Sequence, residues 1–505
     1  MKIRLLYIIL PMVFPLLALG QSPAMTETAT EKLSLRDVIS IATDSSLSAF
    51  RARHTYLGSY WEFRTYKAQN LPQLSIASTP IKYNQNFVLR YNSETNIEEY
   101  RPQQTISSAI GLSVKQNVGP LGGTFYIDTD LDFVKNFSSV NEDYRQFSTT
   151  PIRIGYNQPL FGYNQFRWDK KIEPIKYEAA KRNLLFDMES ISENVTELFF
   201  ALVMAQTNYK TAENDLANAD TLYAVGQQRY SIAAISKSDL LTLNLDVINA
   251  RNTLENARIE LKRAKFSLTS YLNLDENTDI ELIIPDLPTL ETIDPQTALS
   301  YAMQNNPQMM EFRQRELEAQ ARMQKAKIES RFSANLSASV GFNQAAESFG
   351  DAYRDLKRQD MISVSLNIPI VDWGIAKGKY NTARSNYDMT KVSIAQDKIS
   401  LEQEVIMTVS DFNIQQELIK SALEALEVAR EAYSSTMQRF IIGKVDVNSL
   451  TLALNRQNTA QTNYITSLRN YWKSYAKIKK LTLFDYEKGM SLSRDFDRMY
   501  SYTVK

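Results

Sequence analysis

Cysteine is absent from the 505-residue chain, which excludes a disulfide framework, a thiolate nucleophile and any cysteine-based metal site. Histidine occurs once, as His54, so the usual histidine-rich zinc and iron constellations are excluded too. Neither sign of charge prevails: 57 Lys+Arg stand against 57 Asp+Glu, and no global field draws the chain to nucleic acid. Apolar runs long enough to span a membrane as a helix are also missing. Residues 5–19 are apolar but contain Pro11 and Pro15, and they fall short of the ~20 residues such a helix needs. With Lys2 and Arg4 in front and Ala18-Leu19-Gly20 at the end, residues 1–20 read as a secretory signal peptide. No cysteine follows to carry a lipid anchor. Such a chain crosses a membrane only as strands.

Segments with strand periodicity are present. Leu74 and Ile76 alternate with Ser75 and Ala77; Ile110, Leu112 and Val114 with Gly111, Ser113 and Lys115. After the turn Gly119-Pro120-Leu121-Gly122-Gly123, Phe125, Ile127, Leu131 and Phe133 lie on one face, and Tyr126, Asp128, Asp130 and Asp132 on the other. Ile152, Ile154 and Tyr156 form a fourth segment; Leu336, Ala338, Val340 and Phe342 a fifth; Ile362, Val364, Leu366 and Ile368 a sixth. The three aspartates invite a calcium reading. An EF-hand loop, however, needs glycine at its sixth position and glutamate at its twelfth, where this chain has Phe133 and Ser139. Apolar outside and charged inside is how a lumen-lining barrel strand reads.

Between the strands lie helical patterns. Residues 34–70 read as one helix ended by Pro72, and residues 165–229 as a long one. Val195, Phe199, Leu202, Gln206, Tyr209, Glu213, Leu216, Ala219, Tyr223, Gly226 and Tyr230 step by fours and threes, the 3.5-residue period of coiled-coil packing. The same register recurs 210 positions later from Val405 to Phe440, and Gln206 and Gln416 interrupt both seams. A second stripe of small residues, Leu418, Ala422, Ala425, Ala429 and Ala432, marks a helix packed on two sides. Return helices are expected over 238–272 and 448–481. A stave of 65 residues is ~98 Å long, which two shorter helices end to end would match. Such staves bury both seams only in a closed oligomer.

The chain therefore divides into a signal peptide (1–20), a first repeat (21–274) with an insertion at about 77–150 and a helical tip at 229–238, and a linker region (275–295). A second repeat (296–483) follows, with a strand hairpin at 334–369 and a tip at 439–448, and then a polar tail (484–505). The tips, Gln228-Arg229-Tyr230-Ser231-Ile232 and Gln438-Arg439-Phe440-Ile441-Ile442-Gly443, pair Gln228 with Gln438, Arg229 with Arg439, Tyr230 with Phe440 and Ile232 with Ile442. Together with Leu71-Pro72-Gln73-Leu74, Gln158-Pro159-Leu160-Phe161-Gly162 and Ile368-Pro369-Ile370-Val371-Asp372-Trp373-Gly374, they make the sequence resemble the TolC-like outer-membrane efflux protein family over essentially its mature length. The resemblance implies an α+β membrane protein: a homotrimeric transmembrane β-barrel continued by a long α-helical coiled-coil barrel, built from two tandem repeats. It implies an outer-membrane channel, not an enzyme, with no cofactor or metal. The implied partners are outer-membrane lipid, a periplasmic adaptor and an inner-membrane transporter of RND, ABC or MFS type, with no nucleic acid. Efflux of small molecules such as drugs, efflux of metals, and type I protein secretion all fit. A periplasmic coiled-coil scaffold is the rival from another class, but it has no need of amphipathic strands in both halves.

The resemblance places adaptor docking and pore gating at Arg229, Tyr230, Lys237, Asp239, Arg439, Phe440, Gly443, Lys444 and Asp446. There are departures. The family pattern has four barrel strands per chain and this sequence has six, so the extra pair could lengthen the outer end, fold inside it or enlarge the barrel. The acidic positions after the second tip are Ser449 and Leu452 here, and Ala233 and Ala234 replace a tip glycine. Ser236-x-x-Asp239 also has the spacing of a helix capping box, and Asp446 the place of a helix cap. Tyr163, Phe166, Trp168, Trp373 and Tyr380 follow the strands, where membrane-interface anchoring and core packing are both open. Gly374-x-x-x-Gly378-Lys379-Tyr380 lacks the length and the Ser or Thr of a phosphate loop.

Overall fold

The computed structural model describes residues 31–93, 95–137, 143–275, 278, 280–286 and 292–496. The expected signal peptide and the last residues of the tail, 497–505, lie outside them. The chain opens with β1 (Glu31–Leu33), α1 (Leu35–Ser45) and α2 (Leu47–Gln69), then four strands, β2 (Gln73–Asn92), β3 (Ile97–Val118), β4 (Gly123–Phe137) and β5 (Tyr144–Leu160). The long helix α3 (Gln165–Ser231) and its return α4 (Lys237–Leu272) follow, then β6 (Ile280–Leu282). The order then recurs: α5 (Pro295–Asn305), α6 (Pro307–Glu329), β7 (Ser333–Ala346), β8 (Lys357–Asn367), α7 (Ile375–Ile441) and α8 (Val447–Thr482). Two short strands, β9 (Phe484–Asp485) and β10 (Met490–Ser491), pair with each other. Helices α3 and α7 are each 67 residues long, α4 and α8 each 36.

Residues 34–70 are expected as one helix and form two. Ser46 ends α1 and caps α2 with extended backbone (ψ 149°), its hydroxyl accepting from the Ala49 N–H at 3.1 Å. The second half breaks likewise at Asn306, whose side chain accepts from the Gln308 N–H ahead of Pro307 at the first helical position. The region between the halves is also more than a linker: β6 pairs in parallel with β1, Leu33 beside Leu282. Nor is the tail a mere polar extension. Over 484–496 it folds back, seating Phe496 in the main core beside Leu483 of the preceding helix cap and stacking Phe484 on Tyr301 at 4.1 Å.

Six strands form one antiparallel sheet in the order β2-β3-β4-β5-β7-β8. The prolines fall where a ladder can spare an N–H. Pro80 and Pro151 lie at register shifts, and Pro102 lies beyond the stretch of β3 that β4 reaches. One face is polar: on it the Arg153 guanidinium bridges Asp128 at 2.9 Å and Asp130 at 3.2 Å, so a cation already holds two of the three aspartates. The other face is apolar and bare, with Leu74, Ile76, Ile362 and Val364 all more than 60 % exposed.

The main core lies where α1, α5 and the tail pack on the upper parts of α3, α7 and α8. Val195, Phe199, Leu202, Val405, Val409 and Phe412, all seam positions, are sealed there with Tyr471 and Leu268. Gln206 sits in the seam because its amide holds β6, donating to the Ile280 carbonyl and accepting from the Leu282 N–H, both at 3.3 Å. Among the described residues no helix is long and apolar enough to cross a membrane. The chain exposes 33219 Å², against roughly 19,000 Å² for a compact protein of its mass. Two 67-residue helices and a sheet with an uncovered apolar face contribute to the excess.

Candidate functional site

The two helical tips are built alike because their helices end alike. In the first, the Ala233 N–H reaches the Tyr230 carbonyl (3.0 Å) and the Ala234 N–H the Arg229 carbonyl (2.8 Å); in the second, Gly443 reaches Phe440 (2.9 Å) and Lys444 reaches Arg439 (2.9 Å). This double closure requires a left-handed residue after the helix. Gly443 supplies it at φ 77° without strain, whereas Ala233 adopts φ 57°, a conformation costing a residue with Cβ about 1–2 kcal/mol. Ala233→Gly should therefore raise stability in denaturant titration by about 0.5–1 kcal/mol after the extra unfolded-state freedom of glycine, and Gly443→Ala should lower it.

Each return helix starts on a side-chain cap. Ser236 and Asp239 form a reciprocal capping box, the Asp239 carboxylate accepting from the Ser236 N–H (3.1 Å) and hydroxyl (2.8 Å). Asp446 accepts from the Ser449 N–H at 2.9 Å, and the Ser449 side chain, followed by that N–H, holds its carboxyl below the usual carboxylate range. Both aspartates thus serve helix starts.

The tips are joined by one side chain. The Arg229 guanidinium donates to the carbonyls of Phe440 (3.0 Å) and Ile441 (2.7 Å) and lies over the Phe440 ring at 5.2 Å. It adds a second donor to the Phe440 carbonyl, which already accepts from the Gly443 N–H, and meets the Ile441 carbonyl, at the negative pole of that helix. Beneath it Phe440, Leu243, Val447 and Leu450 are buried together, and Gly226 lets α4 approach so closely that a Cβ there would sit 2.4 Å from Leu243. Of the sequence-singled residues, the fold brings Arg229, Phe440 and Gly443 together. Asp239 and Asp446 are caps, and Tyr230, Lys237, Arg439 and Lys444 are exposed in the single chain. Leu243, Val447 and Leu450 escaped sequence reasoning, although Gly226 in the coiled-coil seam signals a close partner.

Above the tip, Asp215 on α3 accepts from Asn458 on α8 at 2.8 Å, and burial raises its carboxyl pKa, the bond opposing. Between the ordinary carboxylate pKa and this raised one, the native state holds the extra proton, so stability falls as pH rises. Asp215→Asn should accordingly be at least as stable as the parent at pH 7.5. The difference should vanish by about pH 3, below the ordinary aspartate pKa, where both states of the parent are protonated; urea titrations at the two pH values measure it.

Residues 298–482 match the family model described as outer membrane efflux protein. A search of the curated proteins with this sequence returns no match. Among solved structures, the chain is similar to the CmeC outer membrane channel of Campylobacter jejuni, with a TM-score of 0.66 and 13% identity over 93% of this chain and 89% of that one. The outer membrane protein VceC of Vibrio cholerae gives 0.62 and 14% over 89% and 95%. The open state of the MtrE outer membrane channel of Neisseria gonorrhoeae gives 0.58 and 15% over 89% and 88%. At these identities the likeness is one of fold.

Proposed function

From the premise that residues 298–482 belong to the outer membrane efflux protein family, whose members are outer-membrane channels with a periplasmic helical extension, we propose that the chain is the outer-membrane duct of a tripartite efflux pump. Three copies form a strand barrel in the membrane and a helical tunnel below it. The chain spans two tandem repeats, 21–274 and 296–483, supported by the recurrence of element order and helix length. The observation that carries the reading is the sheet: its exposed face is a band of Leu, Ile, Val and Phe, and its strands run directly into 67-residue helices. A soluble scaffold gains nothing from such a band, whereas lipid covers it at no cost. Exposed Phe161, Ile370, Val371 and Trp373 gather where strands meet helices, the level at which aromatic side chains anchor in an interface.

The helices support the trimer. The stripe of Leu418, Ala422, Ala425 and Ala429 lines an open groove of about 600 Å³ with Asn455, Thr459 and Ala460, which the seam of another stave would fill. The duct is passive; the inner-membrane pump, coupled through an adaptor at the tips, supplies energy and selects cargo. Opening is a parting of the tips, with Arg229, Arg439, Lys444 and the capped return helices at the constriction. Membrane fractionation and mass measurement in detergent test the reading. The chain should resist carbonate extraction and sediment as a trimer of itself; release by carbonate would return it to the scaffold class.

A further inference from the structure

We propose that the extra copy-one hairpin is part of the barrel wall, so that three chains close an eighteen-stranded barrel, β8 of each chain pairing with β2 of the next. The proposal rests on the trimeric-duct reading and adds to it the strand number and the identity of the closing edges.

Four observations carry it. First, all six strands belong to one continuous antiparallel sheet, with the hairpin of β3 and β4 paired on both sides rather than layered on the sheet or folded over it. Second, the apolar face is common to all six strands. The cross-strand row from Leu74 runs through Val114, Ile127, Ile154 and Val340 before meeting Asp360, while the apolar stretch of β8 is Ile362, Val364 and Leu366. A band that shifts along the strands as it crosses the sheet is what tilted barrel strands produce when the band stays level with the membrane.

Third, the lower end of the hairpin is fastened to the helices. Asn164, the cap of α3, donates to the carbonyls of Gly119 (2.9 Å) and Pro120 (3.3 Å), and Gln158 donates to that of Leu121 (2.8 Å). On the other side Gln116 donates to the Asn70 carbonyl (2.9 Å) and Asn117 to that of Gln69 (3.2 Å), at the end of α2. A strand pair held at this level enters the membrane with its neighbours.

Fourth, the open edges are β2 and β8, each with one neighbour in the sheet among the described residues. In hydrocarbon each unpaired backbone group costs several kcal/mol, so the edges must close. Six strands are too few to close alone, since single-chain barrels begin at about eight. Because six is even, β2 rises from α2 while β8 descends to α7, and a β8–β2 junction between copies continues the antiparallel alternation with polar and apolar faces in line. Eighteen strands give a wall ~1.5 times as wide as twelve, in the range where porins hold an aqueous channel.

The absence of cysteine from the chain makes the test direct. Ser75 on β2 and Ser363 and Ser365 on β8 lie on the polar face. Ser75→Cys combined in one chain with Ser363→Cys or Ser365→Cys should, on oxidation in membranes, give covalent trimers that survive denaturing gels. Tyr126→Cys on β4 combined with the same β8 cysteines should give none, since β4 is an interior strand. In separate variants, nitroxides at Leu112→Cys and Ile127→Cys should be accessible to oxygen and shielded from a water-soluble relaxant. Trimers linked through Tyr126→Cys, or labels open to water in a chain that remains a membrane-bound trimer, would overturn the strand count and leave the duct reading standing. Loss of the parent protein from the membrane under carbonate would overturn both.

Discussion

Lys479→Ala should destabilise the chain by about 3–5 kcal/mol, the cost of leaving buried charge without its partner. Lys479, near the end of α8, lies 3.2 Å from Glu189 on α3 and 3.9 Å from Asp485 in the folded-back tail. Both carboxylates are nearly sealed, with side-chain exposures of 11% and 6%. Asp485 has further support from the Tyr475 hydroxyl (3.3 Å), the N–H groups of Glu487 and Lys488 (both 3.1 Å) and the more distant Lys488 ammonium (3.7 Å). Glu189 depends on Lys479, and burial already raises its pKa, with the lysine as the main opposing influence. Removing the ammonium pushes that carboxyl higher still. The native state then binds a proton that the unfolded chain has released, so the variant should regain stability as pH falls from 7 toward the ordinary glutamate value. Lys479→Ala with Glu189→Gln should recover part of the loss at neutral pH. Urea titration of the three proteins at pH 7 and pH 5 measures both effects, and equal stability of Lys479→Ala and the parent would show that water reaches the cluster.

This cluster was invisible in the sequence because nothing local marks it. Glu189, Glu193 and Glu197 are spaced by fours on α3 and meet Lys479, Lys480 and Lys473 from α8. Each set alone reads as an ordinary solvated helix face, and only the crossing of two helices far apart in the chain joins them. By contrast, all six strands were legible from period-two alternation, and the long helices from their 3.5-residue seams, because one buried or lipid-facing side imposes its period on the sequence. Ser46 lies between these cases. It stands 260 positions before Asn306, the offset that already aligns Val38, Ile39 and Ala42 with Ala298, Leu299 and Ala302, and Pro307 marks the break in the second half. Without a proline after it, Ser46 left only a cap residue as signal. At the tips, the capping box of Asp239 followed from spacing, while the reach of Arg229 depended on how the two hairpins lie side by side.

That reach gives the second large effect. Arg229→Ala removes two charge-assisted bonds at the end of α7, each worth about 1.5–3 kcal/mol when well shielded. Arg229 is half-buried, so a net loss of about 1–2 kcal/mol is the reasonable figure, a factor of about 5–30 in an equilibrium between joined and parted tips. If parting of the tips opens the pore, the variant in planar bilayers should spend that much more time in its open state. Arg229→Lys should recover part of the loss, because both bonds leave one nitrogen, Nη2, whose place an ammonium can take, while the planar contact with the Phe440 ring is lost. The repeat extends the argument. Arg439 occupies the place of Arg229 in the second tip, and Tyr230 and Ser231 occupy those of Phe440 and Ile441 in the first. Within one chain Arg439 is exposed; in the trimer proposed above, the repeat would set it against the Tyr230 and Ser231 carbonyls of the next chain's first tip, as Arg229 is set against its own pair. Arg439→Ala should therefore loosen the closed trimer about as much as Arg229→Ala does, and the double variant more than either. Lys444→Gln should change conductance less than Arg229→Ala, since the Lys444 side chain is exposed whereas Arg229 ties the two tips together. Conductance unmoved by both arginine substitutions would remove the gate from the tips.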